Sequence, residues 1–283
     1  MPHIQKAGLV CCSNGLPANR TTDVLQLCSV LRSCGIQPVP GEHLFRRDGF
    51  SSGTPRERAD ELIRFFKDDS IDAIFDLSGG DLANEILHFL DFDMIASSDK
   101  EFWGYSDITC VLNAICTKTG KPGVLYSVNN LIRSCGDYQQ NQFSQYNHME
   151  SDELFSVPVR FLQGCEMEGI VVGGNLRCLL KLAGTPYFPN LSDKLLLLES
   201  LGGGADRMAA FIAQLEQMGA FEKIAGLLLG TFTQMEQENG PYSMEKLILN
   251  RVPASLPVAK TDWIGHGPDA HAIRIGTFSH FKA

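Results

Sequence analysis

The sequence predicts an α/β protein whose first half is a mainly parallel sheet covered by helices on both faces. Three observations predict it. Short apolar runs alternate with stretches whose apolar residues recur at helical spacing. Turn residues, chiefly Ser, Gly and Asn, stand where the apolar runs end. The alternation is long enough for helical crossovers between parallel strands, rather than for hairpins.

Taken in order, "KAGLVCC" (6–12) is a strand that ends in the turn signal Ser13-Asn14-Gly15. Val24, Leu27, Cys28 and Leu31 form a helix face, and Gly35 stops it. "IQPVP" is a weak strand. Thr54-Pro55-Arg56-Glu57 opens the next helix as a capping box with proline at its first position, and Ala59, Leu62, Ile63 and Phe66 give its buried stripe. "DAIFDL" (72–77) is the clearest strand, followed by Ser78-Gly79-Gly80-Asp81 and a helix through Ile86 and Leu87. "FWGY" leads into Ser106, and Ile108, Val111, Leu112 and Ile115 face inward on a helix that ends near Gly120. "GVLYS" (123–127) is another strand. The Gln- and Asn-rich stretch 137–153 has no clean period and is expected to be a domain connection or a mobile loop. The pattern resumes with "EGIVVGGNL" (168–176), "KLLLLES" (194–200), a helix over 205–218 and "IAGLLLGTF" (224–232), then short strands and turns to the end. This divides the chain into an N-terminal domain (1–140), a connection (141–165) and a C-terminal domain (166–283).

With 283 residues, 44% apolar and 20% charged, the chain can bury a real core. Its net charge of −9 argues against binding nucleic acid or an anionic membrane through a basic surface. The apolar run near the N-terminus is too short for a signal peptide, and no run approaches a membrane span, so a cytoplasmic location is expected. Nine cysteines without a CxxC pair fit that compartment as small buried residues, not as a disulfide framework or zinc site.

In such sheets ligands sit at the carboxyl ends of the strands, where "SGGD" and "GYSD" both fall. Ser106 there reads as a helix N-cap and as a nucleophile held at a sharp turn, two compatible readings, although the G-x-S-x-G pattern of an elbow is absent. Gly79 and Gly80 read as a plain turn, or as amides that, with the amide of Asp107, could receive an oxyanion. Glu199 ends "LLLLE" and is either exposed at the sheet edge or projects into a cleft. "LGGGADRM" lacks the residues of a phosphate loop. His266, bracketed by glycines, is unlike a core histidine, and its spacing to Asp269 and His271 matches no zinc motif. His3, His43, His88, His148 and His280 carry no partner signal and are expected to be exposed. Ser106, Glu199 and His266 are thus a possible triad in the chain order Ser, Glu, His, and spacing alone leaves the matter open.

"GYSDIT", "GGNL" (173–176), "LLLLES" (195–200) and "GHGPDAHAIRIG" (265–276) together resemble the LD-carboxypeptidases, a family of serine peptidases. That family includes enzymes that trim murein tetrapeptide and the microcin C self-immunity peptidases. The resemblance runs from "GLVCCSNG" to "IRIG" with the motifs in order. It implies Ser106 as nucleophile, His266 as general base, Glu199 as its orienting carboxylate, and an oxyanion hole from the Asp107 amide and that of Gly79 or Gly80. It also implies a C-terminal α/β domain with β-barrel character, an active site between the domains, a homodimer, a small peptide substrate, and neither cofactor nor metal. Many murein-trimming members carry R-G-G-Y-G around the paired glycines. Ser78-Gly79-Gly80-Asp81 is closer to the microcin-immunity branch, so the substrate stays open. The chain also ends soon after "IRIG", from which fewer C-terminal substrate contacts are expected. Arg177, Arg207 and Arg274 are candidates for holding a terminal carboxylate, and Trp263, Tyr138 and Tyr146 for stacking on a nucleobase. A non-catalytic ligand-binding protein on the same scaffold is the alternative of another class.

Overall fold

The structure, a computed structural model, describes residues 4–283, so the expectation for His3 lies outside the described residues. In the first half, β1 (Lys6–Val10), α1 (Thr21–Ser33), β2 (Gln37–Pro40), α2 (Pro55–Lys67), β3 (Ala73–Asp76), α3 (Phe92–Ser97), β4 (Glu101–Gly104), α4 (Thr109–Thr119) and β5 (Gly123–Leu125) follow one another. The strands lie side by side in the order β5-β4-β3-β1-β2, all parallel. Helix α2 begins with the capping box: Thr54 Oγ1 accepts from the Glu57 N–H, and the Glu57 carboxylate accepts from the Thr54 N–H. Between β3 and α3 the chain forms 3₁₀ turns over Ala83–Phe89 instead of an α-helix, still burying Ile86 and Leu87.

The polar stretch after β5 is no loop. Most of it is α5 (Gly136–Asn147), with Gln139, Phe143, Tyr146 and Asn147 buried. The buried amides explain the missing period. Gln139 accepts from Tyr126 Oη at 2.6 Å and donates to the Ala270 carbonyl, while Asn147 bonds the backbone of Ile4 and Cys34.

The second half continues with β6 (Arg160–Gln163), β7 (Glu166–Asn175), α6 (Leu176–Leu180), β8 (Lys194–Ser200), α7 (Ala205–Gln217), β9 (Gly226–Phe232), α8 (Thr233–Asn239), α9 (Ser243–Leu249), β10 (Val258–Lys260), β11 (Ile273–Ile275) and β12 (Phe278–Lys282). Its sheet has the order β12-β7-β8-β9-β10-β6, parallel from β7 to β10 with antiparallel edges, and it curls into a half-barrel. β11 does not join it. It crosses back to the first sheet and pairs antiparallel with β5.

Helix α4 joins the two halves. Its Val111, Leu112 and Ile115 share one buried cluster with Val171 of β7, Leu195 and Leu197 of β8, and Leu228 of β9. The paired glycines of "GGNL" make the approach possible. Gly173 and Gly174 have φ of +101° and +128°, and a Cβ on Gly174 would stand 2.8 Å from Thr109 Oγ1. With no side chain there, β7 docks directly: Asn113 exchanges two hydrogen bonds with the Gly173 backbone, and the Asn175 N–H donates to Thr109 Oγ1. The carboxyl ends of β7 and β8 are thereby held at the start of α4.

Candidate active site

Ser106 follows β4, with Tyr105 extended before it. Its φ is +57°, the left-handed region that a residue with a Cβ seldom adopts. It opens a 3₁₀ turn, Ser106–Ile108, that runs into α4. Ser106 thus starts the helical segment as expected but does not cap it: neither the turn nor α4 has a side-chain cap, and the Ser106 hydroxyl makes no hydrogen bond among the described residues. Gly79 lies against it, so close that a Cβ there would be 4.0 Å from Ser106 Oγ.

Gly80 has φ +129°, and the Asn14 side chain occupies the space where a Cβ would point. Asn14 Oδ1 accepts from the Asp81 N–H at 2.7 Å, which pins the glycine loop to the turn after β1. Asp107 is fully buried, and one carboxylate oxygen accepts from Ser13 Oγ (2.6 Å) and from the Ala83 N–H (2.9 Å). The first-half loops at the carboxyl ends of β1, β3 and β4 are thus tied into one unit.

Glu199, at the end of β8, is also fully buried, which rules out the solvent-exposed alternative for it. Asn175, its register partner on β7, donates to Oε1 at 3.0 Å. His266 Nδ1 lies 2.8 Å from Oε2 within ion-pair distance, although the N–H is not aimed along a good hydrogen-bond direction. The imidazole packs edge-on against the Tyr105 ring, centroids 4.9 Å apart. Tyr105 Oη, Glu199 Oε2 and both His266 nitrogens are buried without a well-formed hydrogen bond. Burial, and then the charge of Glu199, push the Tyr105 phenol well above its ordinary range. A cluster of this many buried, unsatisfied polar atoms is unusual in a structural core and typical of a site for chemistry.

Sequence models of the LD-carboxypeptidase N-terminal and C-terminal domains match residues 7–127 and 168–280. The chain belongs to the LD-carboxypeptidase family. As a member it is a hydrolase of the serine-carboxypeptidase type, which sets aside the non-catalytic alternative. A probable murein peptide carboxypeptidase of Bacillus subtilis (strain 168) is 29% identical over 87% of this chain and 80% of its own length. Two solved structures share the fold: MccF in complex with glutamyl sulfamoyl guanosine (TM-score 0.86, 19% identity, 99% of this chain and 93% of that one) and muramoyltetrapeptide carboxypeptidase from Oxalobacter formigenes (0.83, 22%, 98% and 95%).

In this LD-carboxypeptidase the three candidate arginines differ. Arg177 is engaged by the Asp81 carboxylate and donates to the Gly80 carbonyl at 2.8 Å. Arg274 holds Glu101 and Tyr146 Oη and lies over the Phe155 ring. Arg207 is exposed on the first turn of α7. Of the aromatic candidates, Tyr146 is buried against Trp103 and Phe155, whereas Trp263 and Tyr138 keep exposed surface on either side of His271. His271 itself is taken up by Tyr138 Oη and the Ser156 carbonyl. His88, His148 and His280 are exposed as expected, but His43 is half-buried against the Ser52 carbonyl. Spacing did not reveal Tyr105, Asn175 or Ser13 as site residues. Tyr105 and Asn175 lie inside the quoted motifs "GYSDIT" and "GGNL", and Ser13 in the turn after the first strand, but nothing local gave them a role.

Proposed function

We propose that Ser106, His266 and Glu199 act as nucleophile, general base and orienting carboxylate. On this reading the protein hydrolyses the amide bond to a terminal D-amino acid in murein-derived peptides. The observation that carries it is the buried Glu199 carboxylate 2.8 Å from His266, whose ring packs on Tyr105, the residue just before the strained Ser106. His266 takes the Ser106 proton as the oxygen attacks the scissile carbonyl, and Glu199 stabilises the imidazolium. The amides of Asp107 and of Gly79 or Gly80 receive the oxyanion. His266 then returns the proton to the leaving amine, and water releases the acyl group by the same steps. Arg177 and Arg207 are proposed at the edge of the substrate site. The family resemblance also supports a cytoplasmic homodimer.

D-alanine release from murein tetrapeptide by the purified protein tests the reading. Ser106→Ala and His266→Ala are each expected to lose roughly four orders of magnitude in kcat. Undiminished turnover in Ser106→Ala would sink the triad.

A second reading, cleavage of a peptidyl- or aminoacyl-nucleotide conjugate, has one observation in its favour. Trp263, 36% exposed and three positions before His266, lies tilted against the His271 ring and offers an aromatic face beside the histidine loop. A wild type inactive on tetrapeptide but able to cleave an aminoacyl sulfamoyl nucleoside would select it.

A further inference from the structure

Lys181 has no part in the chemistry above, yet it touches both sides of the oxyanion site. It stands one residue past α6, in the half that carries Glu199 and His266, with its side chain mostly buried. Its Nζ donates to Asp107 Oδ1 at 2.5 Å and to the Asp81 carbonyl at 2.8 Å. Asp107 immediately follows Ser106 and has no exposed surface, and its other carboxylate oxygen is already shared by Ser13 and Ala83. One turn earlier, Arg177 grips Gly80 and Asp81.

A fully buried carboxylate is strongly disfavoured unless a cation and hydrogen bonds meet it. Here the cation comes from the opposite half of the molecule. The ion pair therefore fixes the Ser106 turn and the glycine loop relative to the acid–base side chains. We propose that Lys181 is a positioning residue that sets the nucleophile and the oxyanion amides in register with His266. The proposal rests on the reading of Ser106 as nucleophile.

The test uses the full chain and a fluorophosphonate, which modifies an activated serine and places its oxygen on the same amides, so no substrate need be assumed. Lys181→Met is expected to lower the maximal rate of Ser106 modification roughly 10- to 100-fold, with the half-saturating probe concentration within about 2-fold of wild type. Lys181→Arg is expected to restore most of that rate, which a purely structural role would not require. Should Lys181→Met fail to fold, Lys181→Met/Asp107→Asn removes both charges of the pair and is expected to fold and stay slow. Either variant reacting at the wild-type rate overturns the proposal, as does a loss that Lys181→Arg leaves unrepaired. A wild type that labels elsewhere than Ser106, or not at all, instead refutes the nucleophile reading and takes this proposal with it.

Discussion

With φ at +57°, Ser106 sits where its Cβ crowds the following carbonyl, at a cost of roughly 1–2 kcal/mol. Glycine would remove that cost and return roughly 0.4–1 kcal/mol of it as extra freedom in the unfolded chain. Ser106→Gly is therefore expected to raise stability by about 0.5–1 kcal/mol while abolishing activity. Ser106→Ala keeps the Cβ and loses a hydroxyl that bonds nothing among the described residues, so it should stay within about 0.5 kcal/mol of wild type. Urea midpoints of the three proteins decide this, and a glycine variant less stable than the alanine one would show that the turn is not strained. The same residue marks how far a sequence can be read. Glycine neighbours and strand ends single out Ser106, Glu199 and His266 one at a time. The approach of His266 to Glu199 depends on pairings between distant segments that no local spacing encodes. Asn175 and Lys181 were still less legible, because a buried amide or lysine declares itself only through a partner elsewhere in the chain.

At the scale of elements, docking of β7 on α4 sets the geometry of the site, and Gly174 is its narrowest point. Alanine there would combine a disfavoured φ of +128° with a Cβ 2.8 Å from Thr109 Oγ1, backed by Leu125. Gly174→Ala is expected to cost about 2–4 kcal/mol and to reduce kcat by displacing Asn175 and Glu199. A denaturant midpoint unchanged from wild type would show that the contact is slack. Elements with strong local signals were readable, as α2 shows, where the capping box, the proline and the apolar stripe all agree. Helix α5 was not, because its buried face carries Gln139 and Asn147, and amides erase the apolar period although they bond internally. The return of β11 to the first sheet was equally hidden. A three-residue run such as "IRI" shows extended backbone without naming its partner strand.

Across the whole molecule, the clusters that join these elements bury ionisable groups as well as hydrocarbon. Cys12, Cys110 and Tyr105 lie in the core shared by both halves, and Cys11, Cys28, Cys34, Tyr126 and Tyr146 in the core behind the first sheet. Burial pushes every one of these groups up, Cys110 and Tyr146 to about 12. In the unfolded chain the thiols titrate near 8.5 and the phenols near 10. Above those values the unfolded chain releases protons that the folded one keeps, so the stabilising contribution is complete below about pH 8.5 and falls as pH rises. Each group adds at most about 1.4 kcal/mol per pH unit to that decline. Under reducing conditions the urea midpoint is expected to hold between pH 7 and 8, fall from about pH 9, and steepen beyond pH 10 as the tyrosines join. Cys12→Ala should make the decline shallower from about pH 9 onward, by at most about 1.4 kcal/mol per pH unit, because it removes one buried thiol that the folded chain keeps protonated while the unfolded chain does not. A midpoint that stays level to pH 11 would mean that these groups ionise in the folded state as readily as in the unfolded one, and that neither core keeps water from them.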